Sequence, residues 1–199
     1  MALPPRILVI GSSSIGENGS GMLAKALRSQ LSESTVTFFG KSGAGFKAIA
    51  EAAQQKVRAV APDLVLVVMG GNPTGTAAEL ETAMARFKAA LGDTPLLWVG
   101  PPVYAAAFNQ NITRMYDTVG PRVLGSDYVS SQGWTSPTSG RTSDKVHFTD
   151  YGATLWGQKI TEWVRERSSP AVIAAVGGGL FVVAAAIAAF WFFKLRAAR

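Results

Sequence analysis

Arg6-Ile7-Leu8-Val9-Ile10-Gly11-Ser12-Ser13-Ser14-Ile15-Gly16 is the stretch on which the fold turns. Residues 7–10 are apolar without a break, three of the four are β-branched, and the run ends in a Gly/Ser cluster. That pattern describes a short strand covered on both faces and closed by a tight loop. The same signature returns at 36–39, 64–69 and 96–100, and more weakly at 122–124. Helical periodicity fills the gaps, at 22–31, 46–60, 77–91 and 108–119, and a last amphipathic stretch covers 151–166. Strand alternating with helix predicts a parallel sheet with helices on both faces. Function in such sheets gathers at the carboxyl ends of the strands, so the loop after each strand is where chemistry is to be sought.

The chain has 199 residues and no cysteine. Setting aside an apolar C-terminal segment leaves one domain, 1–168, large enough to fold without disulfides or a metal. The lack of cysteine excludes thiolate metal sites and cysteine nucleophiles. A single histidine with scattered acids gives no metal-ligand cluster, and no cofactor is implied. The net charge is +6, but Lys194, Arg196 and Arg199 follow the apolar segment, and the part before it carries only a mild +3. No basic stripe is present, so a nucleic-acid partner is not expected.

Residues 171–193 contain no charge. As a helix these 23 residues would extend ~35 Å, enough to span a ~30 Å hydrocarbon core. Phe190, Trp191, Phe192 and Phe193 cluster at one end, as interfacial aromatics do. Gly177-Gly178-Gly179 would permit close helix approach and thus an oligomer. The start of the chain reads neither as a signal peptide nor as a first span. The expectation is a single-pass membrane protein with a C-terminal anchor and basic tail (169–199). Basic residues flank both ends of the span, so charge leaves its orientation open.

Four loops are rich in residues suited to acyl transfer: Gly11–Gly16 after the first strand, Gly40-Lys41-Ser42-Gly43-Ala44-Gly45 after the second, Gly70-Gly71-Asn72-Pro73 after the third, and Asp144-Lys145-Val146-His147 late in the chain. A serine hydroxyl needs a base to become a nucleophile, and His147 is the one histidine. Asp144, three residues earlier, is placed to hold the imidazole in its useful tautomer. Backbone N–H groups at glycines and an Asn amide supply the donors an oxyanion needs. Two decoys fall away. Gly40-Lys41-Ser42 lacks the upstream glycine of a phosphate-binding loop, because Thr35 stands there. The glycines of 16–21 are in the wrong order for a dinucleotide fingerprint, and no acid ends the second strand.

Taken in order, these loops resemble the four blocks of the SGNH hydrolases, the GDSL-like lipases and esterases. The resemblance covers 6–160. It implies a three-layer α/β/α, flavodoxin-like fold. It also implies Ser13 as nucleophile with Asp144 and His147 completing the triad, and an oxyanion hole from Ser13, Gly43 and Asn72. Two positions depart from the family pattern: Ser12 replaces its Asp, and Pro73 its frequent acid. The implied partner is an ester: an acetylated glycan, a lipid or a lipoprotein. The segments 104–108 and 130–142 are expected to shape its pocket, and Tyr128, Trp134 and Phe148 either line that cleft or pack in the core. The rival reading is a membrane-anchored SGNH-like binding or structural module of an envelope or virion assembly. Hydrolysis of a small activated ester separates the two.

Overall fold

The computed structural model describes residues 3–72 and 75–168. Pro73 and the apolar segment 171–193 lie outside them. Among the described residues no helix is long and apolar enough to cross a membrane.

Five strands, β1 (Arg6–Gly11), β2 (Thr35–Gly40), β3 (Leu64–Val68), β4 (Leu96–Val99) and β5 (Tyr128–Val129), form one sheet in the order β2-β1-β3-β4-β5. Every pairing is parallel. This is the flavodoxin-like order, in which the crossover direction reverses at β1 and β3 and leaves a crevice at their carboxyl ends. The interleaved helices are α1 (Met22–Gln30), α2 (Phe46–Val60), α3 (Ala77–Ala90), α4 (Ala107–Leu124) and α5 (Asp150–Arg167).

The period-2 geometry of the strands sorts the core into two layers. Leu8, Ile10, Val65, Val67 and Trp98 face α2, α3 and α4, where they meet Phe46, Ile49, Met84, Phe87 and Tyr116. Ile7, Val9, Leu66, Val68 and Val99 face α1 and α5, where they meet Leu23, Leu27, Trp156 and Ile160. Strand β3 is buried at all five positions, which is why its sequence shows no alternation. Each such aliphatic side chain contributes ~1.5–3 kcal/mol by leaving water. Trp98 anchors the first layer, its ring 4.6 Å from that of Phe46 in an edge-on arrangement.

Helix α3 starts with a reciprocal capping box. Thr76 accepts from the Glu79 N–H while the Glu79 carboxylate accepts from the Thr76 N–H, satisfying two of the helix's orphan donors. Lys47 of α2 reaches the other Glu79 oxygen at 2.5 Å. Together Lys47 and Thr76 pull the Glu79 carboxyl down to about 2.

One expected element is different. Residues 122–124 are not a strand; they are the last turn of α4, which runs through Pro121. A proline inside a helix forfeits one hydrogen bond, but burial of Leu124 and Val119 against the sheet keeps the turn in place. The fifth strand comes later and is only two residues long, with Trp98 opposite Tyr128 and Val99 opposite Val129. Tyr128 is core and does not line a cleft. Its ring packs on Gly120, where any Cβ would collide with it, and its hydroxyl donates to Asp117 at 2.5 Å. Burial, with Asp117 beside it, pushes the Tyr128 phenol far up. Phe148 is likewise core, stacked against Trp156, and Trp134 packs partly buried against the same layer.

Candidate active site

The loop after β1 turns sharply back on itself. The Ser12 carbonyl accepts from the N–H groups of both Ile15 and Gly16, at 3.1 and 2.8 Å, while Ser12 itself is buried. This leaves Ser13 at the crest of the turn, half-buried. The Ser13 and Gly43 N–H groups are engaged by no protein acceptor among the described residues.

The segment 141–148 is a closed loop. Arg141 and Phe148 form an antiparallel bridge at its neck, and the Thr142 N–H donates to the His147 carbonyl at 2.9 Å. Lys145 at the tip adopts a left-handed φ of 58°, an uncommon conformation for a side chain with a Cβ. The turn wraps the backbone around the Asp144 carboxylate. Its Oδ1 accepts from Thr142 Oγ1 (2.7 Å), the Val146 N–H (2.8 Å) and the His147 N–H (2.9 Å). Its Oδ2 is left for His147 Nδ1, at 2.7 Å. The His147 ring, the Thr142 hydroxyl and the two backbone donors hold the Asp144 carboxyl well below the usual carboxylate range.

With Nδ1–H directed at an anion, Nε2 of the neutral ring is the acceptor. That atom lies 3.1 Å from Ser13 Oγ, across 134 residues of sequence. The His147 and Asp144 side chains are 50% and 49% exposed, so the pair is open to an incoming molecule.

The two remaining loops stand at the same edge of the sheet. The Lys41 N–H donates to the Gly11 carbonyl at 3.3 Å, and Gly43 turns outward with φ 73° and open space beyond its Cα. Asn72 Nδ2 donates one hydrogen to the Ala44 carbonyl at 3.3 Å, which ties the β3 loop to the β2 loop and leaves its second N–H available. Asn109, early in α4, donates to the Gly71 carbonyl at 2.9 Å, and a Cβ at Gly71 would collide with the Tyr104 hydroxyl. The structure therefore joins Ser13, Asp144 and His147 directly by hydrogen bonds, and places Gly43 and Asn72 on the adjoining loops.

Of the segments expected to shape a pocket, 104–108 divides. Tyr104 is buried, whereas Phe108 stands 61% exposed at the rim. Arg141 and Thr142 fall in the segment 130–142 expected to shape the pocket, but the roles of these two and of Asn109 escaped the sequence reading. Thr142 had only its place two residues before the aspartate as a signal. Asn109 and Arg141 had none, since their partners are backbone carbonyls distant in sequence. Among the described residues no group of three or more His, Asp or Glu could hold a metal.

No model of a known protein family matches the chain, and no curated protein sequence matches it. Solved structures do. A lipase/acylhydrolase from Enterococcus faecalis superposes with TM-score 0.70 at 17% identity, covering 83% of this chain and 97% of its own. A catalytic mutant of an acetylxylan esterase from Geobacillus stearothermophilus gives TM-score 0.64 at 14% identity, over 82% and 96%. A protein assigned to the G-D-S-L lipolytic family, from Desulfitobacterium hafniense, gives 0.65 at 14%, over 79% and 98%. The fold of the described residues is the α/β fold of these proteins.

Proposed function

We propose that this protein is a serine ester hydrolase of the SGNH type. The observation that carries the reading is the hydrogen-bonded line from Asp144 through His147 to Ser13, assembled from opposite ends of the domain. The likeness in fold to acylhydrolases and an acetylxylan esterase supports it. In this reading Ser13 Oγ attacks the ester carbonyl as His147 Nε2 takes its proton. Asp144 fixes the ring's tautomer and stabilises the imidazolium. The N–H groups of Ser13 and Gly43 and the free amide hydrogen of Asn72 receive the oxyanion. His147 then returns the proton to the departing alcohol, and water hydrolyses the acyl-enzyme by the same steps.

The substrate we propose is an acetyl or short-acyl ester of an envelope polymer, with the domain held to a membrane by 171–193. Helix α5 bears on this. Its N-cap, Thr149, lies two residues after His147. The helix has 18 residues, so its far end stands ~27 Å away. The four steps from Arg167 to Ala171 reach no more than ~13–14 Å. A tether at 171–193 would then attach at the edge of the domain opposite Ser13 and His147. The site would face away from the anchoring bilayer, toward a polymer beyond it rather than that bilayer's own lipids.

The test uses the whole chain in detergent with p-nitrophenyl acetate and butyrate. Hydrolysis is expected with acetate favoured, lost in Ser13→Ala and His147→Ala but kept in Ser12→Ala and Ser14→Ala. A folded wild type no faster than Ser13→Ala would transfer the protein to the binding-module reading.

A further inference from the structure

Arg141 is the one arginine among the described residues that is buried, at 7% exposure, and it makes no ion pair there. The Asp144 charge acts on it only from beyond ion-pair distance, and burying a cation that has no direct ionic partner is costly, so its hydrogen bonds need to be good. They go to three backbone carbonyls on three separate segments. Nε donates to Ser136 at 3.2 Å, Nη1 to Val146 at 2.6 Å and Nη2 to Val103 at 2.6 Å. The guanidinium also lies over the Phe148 ring, 3.7 Å from its centroid, and beside that of Tyr104 at 5.1 Å.

The contact with Val146 bears on the site. The peptide group joining Val146 to His147 is held at both ends, its oxygen by Arg141 Nη1 and its nitrogen by Asp144 Oδ1. With the Thr142 N–H on the His147 carbonyl, this fixes the backbone from which the imidazole projects. Tyr104, also near the guanidinium, abuts Gly71 beside Asn72.

We propose that Arg141 is a positioning residue for His147, setting the imidazole against Ser13 Oγ and registering that placement to the Asn72 loop through Tyr104. This rests on the esterase reading. A lysine cannot replace it, because a single ammonium on a flexible stem cannot span carbonyls on three segments as a planar fork does.

The experiment takes Arg141→Met and Arg141→Lys in the whole chain, with kcat and KM measured on p-nitrophenyl acetate well below each variant's melting temperature. A displacement of the base by ~1 Å costs about 10²-fold, so kcat is expected to fall about 10- to 100-fold in both, with KM within about twofold. Because His147 is the sole histidine, the 15N-histidine spectrum reports its ring without assignment. Both variants should lose the wild-type Nδ1–H hydrogen-bond signature. Arg141→Lys keeps the charge and the stem, so it guards against Arg141→Met failing to fold. Folded variants with wild-type kcat and an unchanged imidazole spectrum would overturn the proposal. A wild type that fails to hydrolyse the ester, yet whose imidazole spectrum changes in the variants, would overturn the esterase reading and leave the positioning role standing.

Discussion

Replacing Asp144 by Asn keeps the shape of the side chain and changes one atom from acceptor to donor. The structure dictates which orientation the amide takes. Oδ1 accepts from one hydroxyl and two backbone N–H groups, so the amide oxygen is required there and the NH2 faces His147. The ring must then present a bare Nδ1 and carry its proton on Nε2, against Ser13 Oγ, where it cannot act as a base. Recovering the active tautomer means turning the amide over, which sets NH2 against the Val146 and His147 N–H groups. That leaves two donors without their acceptor and disfavours the active tautomer. A loss of about 30-fold to 10⁴-fold in kcat is expected, the upper limit being that of a buried triad aspartate changed to Asn. The half-exposed pair favours the lower part of that range, since water can reach the stranded groups. Steady-state hydrolysis of p-nitrophenyl acetate measures the loss, and the nitrogen shifts of the single imidazole report the tautomer. An Asp144→Asn protein that is folded and within about threefold of wild-type kcat would refute the argument, as would an imidazole still protonated on Nδ1.

Two further outcomes follow from the same geometry. Asn72→Ala removes a side-chain oxyanion donor and should lower kcat by about 10²–10³-fold, with KM for a small ester little changed; equal kcat in a folded variant would remove Asn72 from the oxyanion site. Glu79, drawn down to about 2 by Lys47 and Thr76, has a folded pKa below its unfolded one. Its contribution to stability is present in full above the ordinary carboxylate range and fades as pH falls toward about 2. The melting-temperature gap between wild type and Glu79→Ala should therefore be widest near about pH 6 and close progressively toward about pH 3, and a gap independent of pH would contradict the assignment.

The layers are legible in the chain alone. Uninterrupted apolar runs such as Leu64–Val68 exist because both faces of the strand are covered, and that constraint is local enough to be read off the chain. The spacing of Asp144 three residues before the only histidine is likewise a short-range pattern, while Ser13 was marked only by the resemblance of its loop to the SGNH nucleophile block. Read alone, the sequence places the last strand wrongly, at 122–124. There local signals mislead: Gly120-Pro121 suggests a break, while burial of Leu124 against the sheet carries α4 onward and the two-residue β5 owes its place to pairing with β4. That Ser13 and His147 meet is a property of the folded chain, since their 3.1 Å contact spans 134 positions. So is the place of Arg141, whose partners Val103, Ser136 and Val146 are main-chain oxygens. A backbone carbonyl is the same in every residue, so nothing in the sequence marks which ones a buried guanidinium will hold; the fold chooses them by bringing three loops to one place.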